Sequence, residues 1–108
     1  MAQRVAEHVV RRRLFGTRQL LRVDLHGVSF FGAGDEKVLI RWEWVEGIDV
    51  DLGEVVVRSA TDTITFPAGA FGLRPEGLAE ELRAARSIQD RSDVIRRLSG
   101  GTAGAGAG

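Results

Sequence analysis

Alternation of apolar and polar residues, broken every few positions by turn formers, constrains this chain more than any other feature. Leu21, Val23 and Leu25 alternate with Arg22, Asp24 and His26. That is the period of a half-buried strand, whose successive side chains point to opposite faces. Gly27 breaks the run, and Val28 and Phe30 resume it. Gly32-Ala33-Gly34-Asp35 is a turn cluster, after which Val38, Ile40 and Trp42 alternate with Lys37, Arg41 and Glu43. Gly47 interrupts, and Ile48, Val50 and Leu52 alternate with Asp49 and Asp51. Gly53-Glu54 turns the chain into Val55, Val56 and Val57; Thr61-Asp62 turns it into Thr63-Ile64-Thr65-Phe66, which Pro67 ends. A weaker first strand runs from His8 to Leu14, with its turn at Gly16-Thr17. About seven short strands spaced by about 8–12 residues read as a sandwich or a barrel.

After Pro67 the period changes. Pro75 suits the first turn of a helix. Glu76, Glu80 and Glu81 fall early in that helix and Arg83 and Arg86 late, which matches the helix dipole. Leu78, Leu82 and Ala85 form a stripe at helical spacing, enough to cap one open end of the strands. Ile88, Ile95 and Leu98 continue an apolar stripe, with Asp93 and Arg97 spaced for an i, i+4 pair. Ser87 to Leu98 is therefore a helix extension or a second short helix. A continuous helix to Leu98 would overhang the strands, so this stripe either folds back or meets another chain. Residues 100–108 are glycine and alanine with one threonine, a composition that does not order itself.

Composition narrows the chemistry. A chain of 108 residues, 44% apolar, builds one core. Without cysteine there is no disulfide framework, thiolate metal site or thiol nucleophile. No apolar run approaches the ~18 residues of a membrane span, and residues 1–10 lack the apolar stretch of a secretory signal. A cytoplasmic protein is expected, with a membrane-peripheral position as the alternative. Fifteen basic and fifteen acidic residues cancel, unlike the balance of a nucleic-acid binder. The charge is nevertheless blocked: +4 over residues 1–25, −5 over 35–54, and +3 over 83–97. Such blocks steer charged partners even at zero net charge.

Catalytic and cofactor motifs are missing. His8 and His26 are the two histidines, and no Gly-x-Ser-x-Gly elbow accompanies them. Asp49-Val50-Asp51 opens like a calcium loop, but the glycine and glutamate that such a twelve-residue loop needs are replaced by Glu54 and Ala60. Gly32-Ala33-Gly34 lacks the third glycine of a dinucleotide loop, Lys37 standing there instead. No enzyme, metal or cofactor is expected.

Two surfaces remain as candidates. Arg11, Arg12 and Arg13 precede the first turn, and Arg18 and Arg22 follow it, so a hairpin would gather forked donors suited to phosphate or to an anionic membrane surface. Trp42 is in phase with Val38 and Ile40 and belongs in the core. Trp44 shares that parity only if the strand stays extended, and Val45 and Ile48 place a phase slip, such as a bulge, beside it. An exposed Trp44 is a candidate contact for another protein, as are Ile88, Ile95 and Leu98.

The segment Val23-Asp24-Leu25-His26-Gly27-Val28-Ser29-Phe30, the run Val38-Leu39-Ile40-Arg41-Trp42-Glu43-Trp44-Val45-Glu46-Gly47-Ile48, the hairpin through Val55–Val57 to Phe66-Pro67, and the Leu78–Arg86 helix together resemble bacterial pleckstrin-homology-like domains. The resemblance covers roughly residues 8–88. It implies a mostly β fold, a barrel of about seven antiparallel strands in two orthogonal sheets capped by a C-terminal helix. The chain is accordingly divided into a domain over 1–88, to which periodicity adds a helix extension or second short helix over 89–99 and composition a tail over 100–108. The implied role is a non-enzymatic interaction or scaffold module that binds another protein or itself. Relatives that bind lipid headgroups use basic residues of the first hairpin, here the region of Arg11 to Arg22. Trp44, where a polar residue is more usual, and the segment Ile88 to Leu98 depart from the family pattern.

Overall fold

The computed structural model describes residues 5–11 and 18–101. Seven strands form two antiparallel sheets among these residues. The first sheet holds β1 (Val5–Arg11), β2 (Arg18–Asp24), β3 (Gly27–Phe31) and β4 (Lys37–Arg41) in sequential order. The second holds β5 (Gly47–Asp51), β6 (Glu54–Arg58) and β7 (Thr63–Phe66). Among the described residues no ladder joins the two sheets into one closed barrel. Two helices follow, α1 (Pro75–Ala84) and α2 (Ile88–Arg96).

Register decides which residues enter the core. Ala6, Val23, Val28 and Ile40 lie opposite one another across the four strands, and all are fully buried. The next inward row is His8, Leu21, Phe30 and Val38. In the second sheet Ile48 faces Val57, which faces Ile64, and Val55 faces Phe66; each is buried. The spacing of two in the sequence is therefore the spacing of the core. Gly27 starts β3 because a Cβ there would collide with the carbonyl oxygen of Ile40 and lie 2.7 Å from Arg41 Cα.

The alternation fails at two strand ends. Leu25 is exposed in the β2–β3 turn, where Asp24 Oδ1 accepts the backbone N–H groups of His26 (2.8 Å) and Gly27 (3.1 Å). Leu52 occupies the β5–β6 turn and is 95% exposed. The hairpin turn is Leu52-Gly53, and Glu54 already belongs to β6. The first strand also begins earlier than its sequence pattern indicates, at Val5.

Leu78, Leu82 and Ala85 bury the α1 stripe in the core. The helix then ends rather than continuing to Leu98. Ser87 is extended (φ −82°, ψ 128°), and α2 folds back onto the protein. Val94, Ile95 and Leu98 join the same core, at 0%, 0% and 3% exposure. Ile88, the first residue of α2, is 81% exposed. The expected Asp93–Arg97 pair is replaced by two others: Arg96 pairs with Asp93, and Arg97 forks onto Glu81 of α1 at 2.7–3.1 Å.

Candidate functional site

Trp44 sits where the strand pattern breaks. Residues Trp42–Trp44 form a single 3₁₀ turn between β4 and β5, so the phase slip is a helical turn and not a bulge. The turn drives the two indoles apart. Trp42 is 3% exposed, and its Nε1–H donates to the Asp24 carbonyl at 2.8 Å, which satisfies the one polar atom it carries inward. Trp44 is 54% exposed. The Arg41 guanidinium lies 5.6 Å from its ring centre, a cation–π contact. Arg41 is also bonded to Glu43 (3.1 Å), so its charge is already shared. A backbone hydrogen bond and the Arg41 side chain hold the Glu43 carboxyl below its ordinary value.

A shallow groove runs beside the indole. Glu43, Trp44, Val45 and Glu46 form one wall, and Ser59, Ala60 and Thr61 of the β6–β7 turn form the other. That turn is held in shape by the Ser59 hydroxyl, which accepts the backbone N–H groups of Thr61 and Asp62, and by the Ser59 N–H donating to the Asp62 carbonyl at 2.9 Å. The groove thus pairs a large, wet aromatic ring with Glu43 and Glu46 on walls whose backbone is fixed. Such a ring offers contact area at low entropic cost.

The basic block at residues 83–97 is spent inside the protein. Arg83 donates twice to the Ile48 carbonyl (2.7 and 3.1 Å), and Arg86 donates to the Val45 carbonyl (3.0 Å). Arg83 thus binds α1 to β5, and Arg86, just past the end of α1, binds the chain immediately before β5. Arg91 donates to the carbonyls of Ala85 (2.7 Å) and Arg86 (3.2 Å) at the end of α1 and lies 5.2 Å from the Trp42 ring centre. With Arg96 and Arg97 in ion pairs, all five arginines have partners within the chain.

The first hairpin is described only in part. Arg12 and Arg13 lie outside the described residues, and Arg11 is placed by its backbone. The register sets Arg11 opposite Arg18, and Arg22 falls on the same outward face two rows along. Arg18 is exposed. Arg22 is paired with Glu7 at 2.8 Å and stacks 4.8 Å from the Phe31 ring centre. Of the four proposed protein contacts, the structure leaves Trp44 and Ile88 exposed and places Ile95 and Leu98 in the core, where they present nothing to a partner.

His8 was not among the site residues read from the sequence. Its Nδ1 accepts the backbone N–H of Phe71 at 3.3 Å, and the two rings lie 5.5 Å apart. Burial lowers its pKa below the ordinary 6.5. A lone histidine in an alternating strand carries no signal of a partner 63 residues away. Among the described residues no three His, Asp or Glu side chains gather as a metal site, and no helix is long and apolar enough to cross a membrane. No protein-family model matches this chain, and no curated protein matches it.

Proposed function

We propose that this protein is a non-enzymatic interaction module of the pleckstrin-homology-like kind, and that Trp44 anchors its protein partner. Seven antiparallel strands in two sheets, followed by helix at the C-terminal end, are compatible with the mostly β part of that reading. The observation that carries the functional reading is the exposure of Trp44 beside an acid-bearing groove. A half-wet indole on a fixed 3₁₀ turn costs solvation in the free protein, and tryptophan is among the residues that dominate binding energy when a partner covers them. Glu43 and Glu46 suit a partner segment that carries basic or amide groups around an apolar contact.

The alternative reading, binding of anionic headgroups or other phosphate ligands, rests on the register that sets Arg11 opposite Arg18. Comparative capture from native lysate separates the two. Wild type, Trp44→Ala and Arg18→Glu would be used as baits at low and high salt. The protein-contact reading expects a discrete set of proteins lost with Trp44→Ala, kept with Arg18→Glu and kept at high salt. Identical capture by wild type and Trp44→Ala would overturn it. Salt-sensitive binding to anionic vesicles that only Arg18→Glu weakens would favour the alternative.

A further inference from the structure

Two surface features are used neither by the core nor by the Trp44 groove. The first is the tip of the β5–β6 hairpin. Both turn residues have positive φ, 52° at Leu52 and 80° at Gly53. Asparagine, aspartate or glycine is the ordinary occupant of the first position, and a leucine there is strained. This leucine is also 95% exposed. Asp51 and Glu54 face each other across the ladder directly behind it, and neither has a cation partner among the described residues. The tip is an apolar side chain between two unpaired carboxylates.

The second feature is the outward face of the first sheet. Val9, Leu20 and Phe31 lie opposite one another across three strands, and Lys37 ends the same row on β4. These are apolar residues on the side away from the core. Val9 is 42% exposed, and Leu20 and Phe31 are half-buried. Lys37 lies 5.3 Å from the Phe31 ring centre, and Arg18 stands one row away on the same face. Neither Lys37 nor Arg18 has a carboxylate partner among the described residues. Strand spacing puts the Cα atoms of Lys37, at the end of the row, and Arg18, on the neighbouring row, about 12 Å apart.

We propose that these surfaces fit each other: the Leu52 tip of one copy docks on the Val9, Leu20 and Phe31 row of a second copy of this chain. Leucine meets an apolar strip, and the two carboxylates behind it meet the lysine and arginine that border the strip. Charge complementarity selects this occupant, because one sequence supplies both halves with their pairing capacity unused. An anionic bilayer would meet only the cationic half and would repel the acidic tip. The two halves lie on different sheets, so the contact is heterologous, of the type that builds rings or open chains. It uses residues distinct from Trp44 and stands whether or not that surface binds a partner.

Sedimentation velocity of the purified full chain, from micromolar to millimolar and from low to high salt, tests this directly. Wild type should self-associate, with affinity falling about tenfold or more as salt screens the charges. Leu52→Asn should weaken association about tenfold or more while leaving melting unchanged or improved, since asparagine suits the turn. A charge-swap pair completes the test. Asp51→Lys with Glu54→Lys, and Arg18→Glu with Lys37→Glu, should each stay monomeric alone and associate when mixed. Trp44→Ala should associate like wild type. A monomeric wild type throughout, unchanged association in Leu52→Asn, or a mixture of the swapped proteins that stays monomeric would overturn the proposal.

Discussion

Replacing Ile95 with alanine tests the fold-back of α2, on which the loss of the C-terminal contact surface depends. Ile95 is 0% exposed and packs in the core with Val94 and Leu98. The change removes three carbons, worth about 0.8 kcal/mol each in transfer, or about 2.4 kcal/mol together. The cavity left behind adds to this, and helix propensity returns a few tenths of a kcal/mol because alanine exceeds isoleucine. The segment lies near the end of the described chain, where neighbours can relax into the space, so the net cost should be about 2–4 kcal/mol. For a domain this size that lowers the melting temperature by about 8 °C or more. Ile88→Ala is the internal control: at 81% exposure it should change stability by less than about 0.5 kcal/mol. Urea denaturation followed by far-UV circular dichroism measures both. A cost under about 1 kcal/mol for Ile95→Ala, or equal costs for the two variants, would refute the packing.

Three further outcomes follow from the same contacts. Burial holds the His8 pKa below 6.5, so the neutral form is the folded form, and its contribution is complete above that value and lost as pH falls from about 6.5 through the folded value. Thermal melts should show wild type losing more stability than His8→Gln between pH 7 and pH 5; parallel curves would contradict the assignment. Gly27→Ala forces a Cβ against the Ile40 carbonyl and should cost about 1–3 kcal/mol by chemical denaturation; an unchanged midpoint would show that β3 and β4 can part without cost. Arg83→Met removes both donors to the Ile48 carbonyl and should cost about 1–2 kcal/mol, with faster hydrogen exchange in β5; unaltered exchange would mean the clamp holds nothing.

The core was legible in the sequence because the period of two survives wherever both neighbours pair. Leu21, Val23, Val28, Ile40 and Trp42 are buried as their alternation requires, and so are Leu78, Leu82 and Ala85 on the first helix. The alternation misleads at Leu25 and Leu52, where the parity still points inward while the chain has already entered a turn. Trp44 could be separated from Trp42 because Val45 and Ile48 conflict with an extended chain, although the pattern could not tell a bulge from the 3₁₀ turn that is present. The C-terminal stripe was legible only in part. Ile95 and Leu98 reach the core together with Val94, whereas Ile88, although a helical repeat before Ile95, is the first residue of α2 and stays exposed where the helix begins. The fates of the arginines were invisible, because a guanidinium seeking a backbone carbonyl 35 or 41 residues away leaves no local pattern.

The most direct test of the Trp44 contact is photo-crosslinking inside cells that make the protein. A crosslinking residue replacing exposed Ala60 lines the groove opposite the indole without entering the core. The proposed function predicts a discrete adduct with a protein other than this chain, lost when Trp44→Ala is added and retained when Leu52→Asn is added. Absence of an adduct, or an adduct that persists without the indole, would contradict it.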